Sequence, residues 1–279
     1  MPRIAVGLEY HGGGYAGWQL QPGLRTLQGI FQEALSRVAA EPVTLTCAGR
    51  TDAGVHATGQ VAHFDSDATR ASRGWVLGAN TYLPSDASVR WAREVPKHFH
   101  ARHSAESRTY CYLIANLPAR SALAAGRAAL IHAPLDADRM REAAQLLCGE
   151  HDFSAFRAAE CQARSPVRRL EALSVERQGD WIALRATANA FLHHMVRNIA
   201  GLLIAVGQGK APPLRAREVL ESRDRTRGAA TAPPEGLYLW GVRYRQPFDL
   251  PASPADSGWA MIPGLPRFNS LTGSSHVVV

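Results

Sequence analysis

The sequence is poor in cysteine and has no long apolar run. It contains four cysteines, and neighbouring ones are at least 13 residues apart, so it has no CxxC pair for zinc or redox chemistry and no disulfide framework is expected. The apolar run 4–8 is interrupted too soon to form a secretory signal. The run 199–206 is much shorter than the roughly 18 residues of a membrane span. We therefore expect a cytoplasmic protein that does not enter a membrane.

Lysine is also rare, although the chain is basic. Only Lys97 and Lys210 are lysines among 31 basic residues, and the formal net charge is +7. Arginine pairs with phosphate through two parallel hydrogen bonds and also stacks on nucleobases. The excess of arginine therefore fits a phosphate-rich partner such as a nucleic acid, whereas a GC-rich genome would give the same composition without any function. Composition alone leaves both interpretations open.

The length and the order of local patterns predict a fold of two parts. At about 150 residues per domain, 279 residues correspond to two domains, and 46% apolar with 20% charged residues indicates a packed globule. Each half reads as a strand, a helix and further strands, which predicts an α+β fold of two tandem, similar α/β modules with mostly antiparallel sheets. We place the modules at 1–105 and 106–250. Residues 251–279 are rich in proline, glycine and serine and are expected to form a loosely ordered tail.

Three local patterns are pronounced. Apolar residues recur at helical spacing over 27–38, directly after Thr26, which is a suitable N-cap. Alternating residues at 172–177 and 181–186 predict two strands joined by a tight hairpin. The mainly apolar stretch 191–206 predicts a buried helix.

A glycine-bounded loop offers the sharpest local signal for chemistry. Residues 49–57 read GRTDAGVHA and lie between the predicted strands 43–47 and 60–64. A lone aspartate near glycine is more often a turn former than a catalytic group. Arg50, however, would keep Asp52 ionised, and an ionised carboxylate can act as a nucleophile or a base.

Seven short segments follow one another in the order found in the tRNA pseudouridine synthase A family, and on them the chain resembles that family from about residue 4 to residue 250. The segments are Tyr10 with Gly17-Trp18-Gln19; CAGRTDAGVH at 47–56; FHAR at 99–102; RTY at 108–110; DFSAF at 152–156; NAFLHHMVRN at 189–198; and GLYL at 236–239. One such segment would be a weak signal, but seven in order are a strong one.

The resemblance implies a pseudouridine synthase fold, in which the sheets of the two modules join into one extended sheet flanked by helices, with a basic cleft between the modules. It implies isomerisation of uridine to pseudouridine at positions 38, 39 and 40 in the anticodon stem-loop of tRNA. The expected partners are tRNA and a second copy of the chain, since the family acts as a homodimer. No cofactor is expected, because the reaction involves neither a redox change nor net hydrolysis.

The resemblance also assigns roles to individual residues. Asp52 would be the catalytic carboxylate, and Arg197 the basic residue that pairs with it and orients it. Tyr110 would stack on the target base. Because a stacked uridine must leave the helix, Arg50 and Arg70 would assist its flipping. Without the resemblance, Tyr110 reads equally well as a core residue of a strand, and Arg197 as an arginine on a helix surface.

Two basic segments are expected to line the path of the RNA. Residues 157–169 hold four arginines against one acid, and residues 90–108 hold five basic residues and three histidines against two acids. Such densities fit phosphate contacts, although basic loops are also common on solvated surfaces. By resemblance, the RNA-contacting residues are Phe99, His100, Ala101, Arg102 and His103 in one segment and Glu160, Cys161, Gln162, Ala163 and Arg164 in the other.

No metal site is expected. His193 and His194 are adjacent, and successive side chains on a helix point about 100 degrees apart, so they would not share an ion. His100 and His103 have better spacing, but no cysteine or acid nearby supplies a third ligand.

Two other functions remain open at this point. A non-catalytic RNA-binding protein would keep the basic surface, but it would be expected to have lost part of the site described above. A hydrolase with an aspartate nucleophile would need an acid pair to hold a metal, for which Asp65 and Asp67 are the candidates, without a supporting motif.

Overall fold

The computed structural model describes residues 1–245 and 248–252. None of the helices in this part of the chain is long and apolar enough to cross a membrane. The elements in chain order are β1 (Arg3–Tyr10), α1 (Leu27–Ala39), β2 (Thr46–Cys47), β3 (His56–Asp65), α2 (Ser72–Tyr82), β4 (Ala87–Val95), β5 (Ala105–Ala115), β6 (Ala129–Leu130), α3 (Ala137–Gln145), β7 (Gly149–Asp152), β8 (Val167–Gln178), β9 (Trp181–Ala188), α4 (Met195–Gly207), α5 (Arg215–Ser222) and β10 (Leu237–Tyr244).

A single mixed sheet runs through both halves of the described chain. Its strand order is β4-β1-β3-β10-β5-β9-β8-β7, with β2 beside β3 and β6 beside β5. The pairs are antiparallel, except for β10 with β3 and β5 with β6. The expected α+β fold with one extended, mostly antiparallel sheet flanked by helices is thus confirmed.

The last described strand joins the two halves. β10 pairs with β3 of the first half on one side and with β5 of the second half on the other. The predicted module boundary at residue 105, where β5 begins, stays a prediction. Of the predicted tail at 251–279, all residues from 253 onward lie outside the described part of the chain.

The sequence predicted α1 and the β8–β9 hairpin correctly. The Thr26 hydroxyl accepts a hydrogen bond from the Gly29 backbone N–H at 3.3 Å, and Phe31 and Leu35 on the apolar face of α1 are fully buried. The hairpin turns at Gly179, whose φ of +57° is a conformation that glycine adopts without strain.

The fourth helix begins later than predicted. α4 starts at Met195 rather than at residue 191. Leu192 is buried, and Phe191 packs edge-to-face on Tyr110, with 5.0 Å between the ring centroids. Tertiary contacts therefore extend the apolar pattern beyond the helix, which is why periodicity alone misplaced its start.

The second strand is shorter than predicted. β2 covers Thr46–Cys47 and does not begin at Val43. The Val43 N–H donates to Ser36 Oγ at 2.9 Å, and the Leu45 N–H donates to Gln32 Oε1 at 3.0 Å. These backbone groups are thus bonded to side chains of α1 instead of a neighbouring strand. The alternation of apolar and polar residues at 43–47 therefore reflects which side chains are buried and does not show that the segment pairs with a neighbouring strand.

β5 is buried on both faces. Tyr110 and Tyr112 belong to the main core, together with the apolar side chains of the helices. Cys111 and Leu113 belong to a second, smaller core with Trp240. Because side chains alternate along a strand, Tyr110 faces the side of the sheet that the helices cover.

Burial of His56 predicts how stability depends on pH. Its side chain is 1% exposed, its Nδ1 accepts a hydrogen bond from the Gly12 N–H at 2.9 Å, and burial lowers its pKa to about 4. The unfolded chain, with a histidine pKa of about 6.5, takes up this proton more readily. Above pH 6.5, His56 therefore does not make the free energy of unfolding depend on pH. As the pH drops from 6.5 toward 4, the free energy of unfolding falls by roughly 3 kcal/mol in total, because the unfolded chain binds the proton first.

Urea unfolding of the full chain at pH 7 and pH 5 measures this effect. His56→Gln keeps a hydrogen-bond acceptor but cannot be protonated, so it should lose about 2 kcal/mol less than the wild-type protein between the two pH values. His132→Gln, at an exposed position, is the matched control. Equal losses in wild type and His56→Gln would contradict the prediction.

Candidate active site

The loop between β2 and β3 carries Asp52 and is held from both sides. The Trp18 N–H donates to the Thr51 carbonyl oxygen at 2.9 Å. On the other side, Gln60 Nε2 of β3 donates to the Gly49 carbonyl oxygen at 2.6 Å. The backbone of the loop is thereby fixed, while the side chain of Asp52 remains 24% exposed.

Two glycines allow this loop its shape. Gly17 has a φ of +87°, and a Cβ at this position would lie 3.0 Å from the Thr51 carbonyl oxygen, so only glycine permits the close approach. Gly54 has a φ of +81° and lies in the turn closed by the hydrogen bond from the Val55 N–H to the Asp52 carbonyl oxygen at 3.1 Å. The turn leads directly into β3.

Three basic side chains surround the Asp52 carboxylate. His193 Nε2 lies 3.2 Å from Oδ1, while His194 Nε2 and Arg197 Nη1 lie 3.3 Å and 3.5 Å from Oδ2. Arg197 is itself held by a hydrogen bond from its Nε to the Ala232 carbonyl oxygen at 2.9 Å. The structure thus brings Asp52 from the first half of the chain together with the start of α4 from the second half.

The side chains of His193 and His194 both reach the Asp52 carboxylate because both residues precede α4 instead of lying within it. His194 has a φ of +61° and a left-handed backbone, and the rings of His193 and His194 lie 4.1 Å apart with an angle of 38° between their planes. The expectation that they diverge by about 100 degrees assumed that both lie within a helix, and it is wrong for this reason. Burial lowers the pKa of His194, although the charge of Asp52 acts in the opposite direction.

Sequence reasoning therefore missed two members of the site. The signal available was that both histidines lie in segment 189–198, four and three residues before Arg197. The absence of a metal site stays a prediction, although one donor atom each from Asp52, His193 and His194 lie within 4.8 Å of one another.

Tyr110 lies beside this loop but is packed as a core residue. It is 8% exposed and contacts Phe191 edge-to-face, and a Cβ on Gly49 would lie 3.5 Å from its hydroxyl oxygen. Burial raises the pKa of Tyr110, and the charge of Asp52 raises it further. Its stacking on a target base stays a prediction.

The two arginines expected to assist flipping differ in position. Arg50 is exposed on the same loop as Asp52, two residues away. Arg70 is exposed in the segment before α2, and its guanidinium donates to the neighbouring Thr69 carbonyl oxygen at 3.0 Å rather than to the loop. The role of Arg50 is thus compatible with its place at the site, and the role of Arg70 depends on how the RNA is bound.

The segments expected to line the RNA path contain buried and exposed members. Phe99 and Ala101 have no exposed surface and Cys161 has 9%, and RNA contact by these three residues stays a prediction. His100 and Ala163 are half-buried, and the remaining predicted contacts are exposed: Arg102, His103, Glu160, Gln162 and Arg164.

A buried arginine ties the site together and was given no role from the sequence. Arg108, on β5, donates hydrogen bonds to the carbonyl oxygens of Ala48 at 3.1 Å, of Asn189 at 2.9 Å and of Arg102. These three carbonyls belong to the Asp52 loop, the segment before α4 and the first RNA segment. Burial lowers the pKa of Arg108, yet its hydrogen bonds hold three separate segments at one point.

The acid pair considered for a hydrolase is already engaged elsewhere. Asp65 pairs with Arg3 at 2.9 Å and with Lys97 at 3.5 Å, and the hydrogen bonds from Arg3 hold its pKa at about 2. Asp67 pairs with the amino-terminal ammonium group of Met1 at 2.8 Å. Both acids are thus neutralised by cations, which argues against a shared metal ion there.

Comparisons with known proteins agree with one another. A family model described as tRNA pseudouridine synthase matches residues 8–104 and 143–245. The protein named tRNA pseudouridine synthase A in Methylococcus capsulatus is 58% identical to this chain over 248 residues, which cover 89% of this chain and 92% of the relative. The relative from Alcanivorax borkumensis is 54% identical over 260 residues, covering 93% and 97%. The one from Idiomarina loihiensis is 52% identical over 257 residues, covering 92% and 98%.

Proposed function

The chain belongs to the tRNA pseudouridine synthase family, and we propose that it isomerises uridine to pseudouridine at positions 38, 39 and 40 of the tRNA anticodon stem-loop, with Asp52 as the catalytic carboxylate. The observation that carries the proposal is the setting of Asp52, which is partly exposed and contacts His193, His194 and Arg197. The guanidinium of Arg197 and the two imidazole rings fix the orientation of the carboxylate, which remains open to a substrate.

The chemistry of the isomerisation suits such a carboxylate. The bond from N1 of uracil to C1′ of the ribose breaks, the base turns, and a bond forms from C5 to C1′. C5 loses a proton and N1 gains one, so the reaction needs no oxidant, reductant or net water. An oriented, ionised oxygen of Asp52 can serve as the nucleophile or as the base in this sequence.

The uridine must reach Asp52 from within a stem or a stacked loop. Extruding a nucleotide costs a few kcal/mol, and enzymes that act on a base compensate by filling the vacated space and binding the flipped base. Arg50 is exposed two residues from Asp52, which suits the first task. Tyr110 lies beside the Asp52 loop, with its hydroxyl oxygen 3.5 Å from the position that a Cβ on Gly49 would take, and would stack on the flipped base.

We also propose that the enzyme acts as a homodimer in the cytoplasm, with one tRNA arm held across both subunits, as the resemblance implies. Light scattering coupled to size exclusion tests the oligomeric state. A monomer at working concentrations that is fully active would contradict the dimer.

Reaction with an unmodified tRNA transcript tests the activity. A transcript with uridines at positions 38–40 should gain pseudouridine at these positions, as read by site-resolved detection. A matched transcript with cytidines at these positions should gain none. Failure to modify the first transcript, or modification of the second elsewhere, would contradict the proposed substrate.

Salt should weaken tRNA binding strongly, because the exposed arginines of the two RNA segments are expected to contact phosphates. The logarithm of affinity should fall with the logarithm of salt concentration by roughly 0.9 per phosphate contacted in duplex regions. Arg164→Ala should make the slope shallower by about 1, whereas Arg120→Ala, exposed between β5 and β6, should leave it unchanged. A flat salt series would rule out a phosphate path.

A further inference from the structure

Asp52, His193 and His194 each place one donor atom within 4.8 Å of the others, and all three are common ligands of transition-metal ions. Asp52 Oδ1 is 3.2 Å from His193 Nε2, and Asp52 Oδ2 is 3.3 Å from His194 Nε2. Around a zinc ion with ligand bonds of about 2.0–2.1 Å, neighbouring donor atoms lie about 3.3 Å apart. The two distances to Asp52 match this spacing, and binding of one ion would draw the three donors together from within 4.8 Å.

The protein holds the backbone of both histidines in place. The His193 N–H donates to Cys161 Sγ at 3.4 Å, and its carbonyl oxygen accepts from the Ala158 N–H at 3.0 Å. The His194 carbonyl oxygen accepts from the Asn198 N–H in α4 at 2.9 Å. Non-glycine residues rarely adopt the left-handed backbone of His194, and such a conformation persists where surrounding contacts hold it. The backbone of both histidines is thus fixed, and their rings already contact Asp52.

We propose that Asp52, His193 and His194 bind one divalent transition-metal ion in the tRNA-free protein, and that this ion blocks the reaction reversibly. The ion would occupy the carboxylate oxygens that the extruded uridine must meet. The inhibitory part of the inference rests on the proposed function, since it presumes that Asp52 reacts with the substrate.

The donor set and its surroundings define the kind of ion. Two imidazoles and one carboxylate suit Zn²⁺ and its neighbours among the transition metals, whereas Mg²⁺ and Ca²⁺ prefer oxygen ligands. Arg197 lies 3.5 Å from Asp52 Oδ2, and its positive charge weakens the binding of any cation. The side chains of the three ligands are 24% to 37% exposed, so an ion can enter and leave. These features fit an exchangeable inhibitor rather than a resident cofactor.

Titration with Co²⁺ tests binding without reference to activity, because tetrahedrally coordinated Co²⁺ absorbs visible light much more strongly than hydrated Co²⁺. The absorption of the full chain should saturate at about one ion per chain, and Zn²⁺ should abolish it. His193→Gln and His194→Gln should each weaken Co²⁺ binding roughly tenfold or more.

A second histidine pair provides the matched control. The rings of His100 and His103 lie 4.2 Å apart, but among residues 1–245 and 248–252 the group of three potential metal ligands is the one at Asp52. His103→Gln should therefore leave Co²⁺ binding unchanged. Absence of the tetrahedral absorption, or equal binding by wild type, His193→Gln and His194→Gln, would overturn the proposal.

Inhibition is measured with Zn²⁺ and expressed relative to the metal-free rate of each protein. Zn²⁺ should inhibit the wild type, a chelator should restore the full rate, and tRNA bound beforehand should raise the Zn²⁺ concentration required. His193→Gln should need at least about tenfold more Zn²⁺ for half inhibition. Turnover that rises with Zn²⁺, or equal sensitivity of both proteins, would overturn the inhibitory role.

The two proposals fail in different ways. If metal-free protein forms no pseudouridine, the proposed function fails, while the Co²⁺ titration still reports on the metal site. If pseudouridine forms but no Co²⁺ absorption develops, the metal site alone fails.

Discussion

Asp52→Asn is expected to lower pseudouridine formation by a factor on the order of 10³ or more while tRNA binding stays within a few fold. Asparagine has the same size and can still hydrogen-bond to His193 and Arg197, so the loop should keep its shape. It lacks the charged oxygen that attacks or accepts a proton. Binding depends mainly on the basic surface, which this substitution does not touch.

Single-turnover assays with enzyme in excess measure the chemical step, and filter binding with the same tRNA measures affinity. Asp67→Asn removes an exposed carboxylate that pairs with the amino terminus, and it should have no effect on either quantity. An Asp52→Asn protein that retains substantial activity would refute the assignment of the catalytic carboxylate.

Arg108→Met is expected to destabilise the protein by about 3 kcal/mol or more. Methionine fills part of the volume but donates no hydrogen bonds, so the carbonyls of Ala48, Arg102 and Asn189 would lose their donor. The Ala48 carbonyl, whose bond to Arg108 is buried, would cost about 1–3 kcal/mol if left unpaired, and the two part-buried bonds to Asn189 and Arg102 add smaller losses. The same loss should misplace Asp52 relative to α4, and a small misplacement lowers the chemical rate by up to about 10²-fold in the protein that remains folded.

A neighbouring strand offers the matched substitution. Arg243 on β10 pairs with Glu106 and Glu171 near the surface, so Arg243→Met should cost less than about 1 kcal/mol. Urea unfolding compares the two variants, and single-turnover rates at saturating enzyme, below the unfolding transition, isolate the effect on chemistry. Equal stability of Arg108→Met and Arg243→Met would show that Arg108 does not hold the three segments together. Arg108→Lys, with fewer donors, should recover part of the rate.

Local patterns were reliable where local forces dominate. The Thr26 cap, the apolar face of α1 and the turn at Gly179 all follow from interactions within a few residues, and all three agree with the structure. The start of α4 was misplaced because Phe191 and Leu192 are buried by contacts with distant residues. Periodicity reports burial, and burial outside a helix has the same signature in the sequence.

In the candidate site, too, some residues could be named from the sequence, whereas others are recognised only from tertiary contacts. The resemblance named Asp52 and Arg197, and the structure places them in contact. It did not indicate that His193 and His194 would both face the same carboxylate, because this depends on one left-handed residue held by surrounding contacts. The role of Arg108 was also hidden, since a buried arginine in a strand is recognisable only when its three carbonyl partners are known.

From the amino-acid chain alone come its arginine-rich charge, its α+β organisation, and a glycine-bounded loop suited to present an acid. The meeting of that loop with the start of α4 arises from folding, because more than 130 residues separate Asp52 from His193 along the chain. Their approach depends on β10 pairing with β3 and β5 at once. Pairing between strands so far apart in the chain leaves no local pattern in the sequence. It depends on how the whole sheet packs and not on interactions between neighbouring residues.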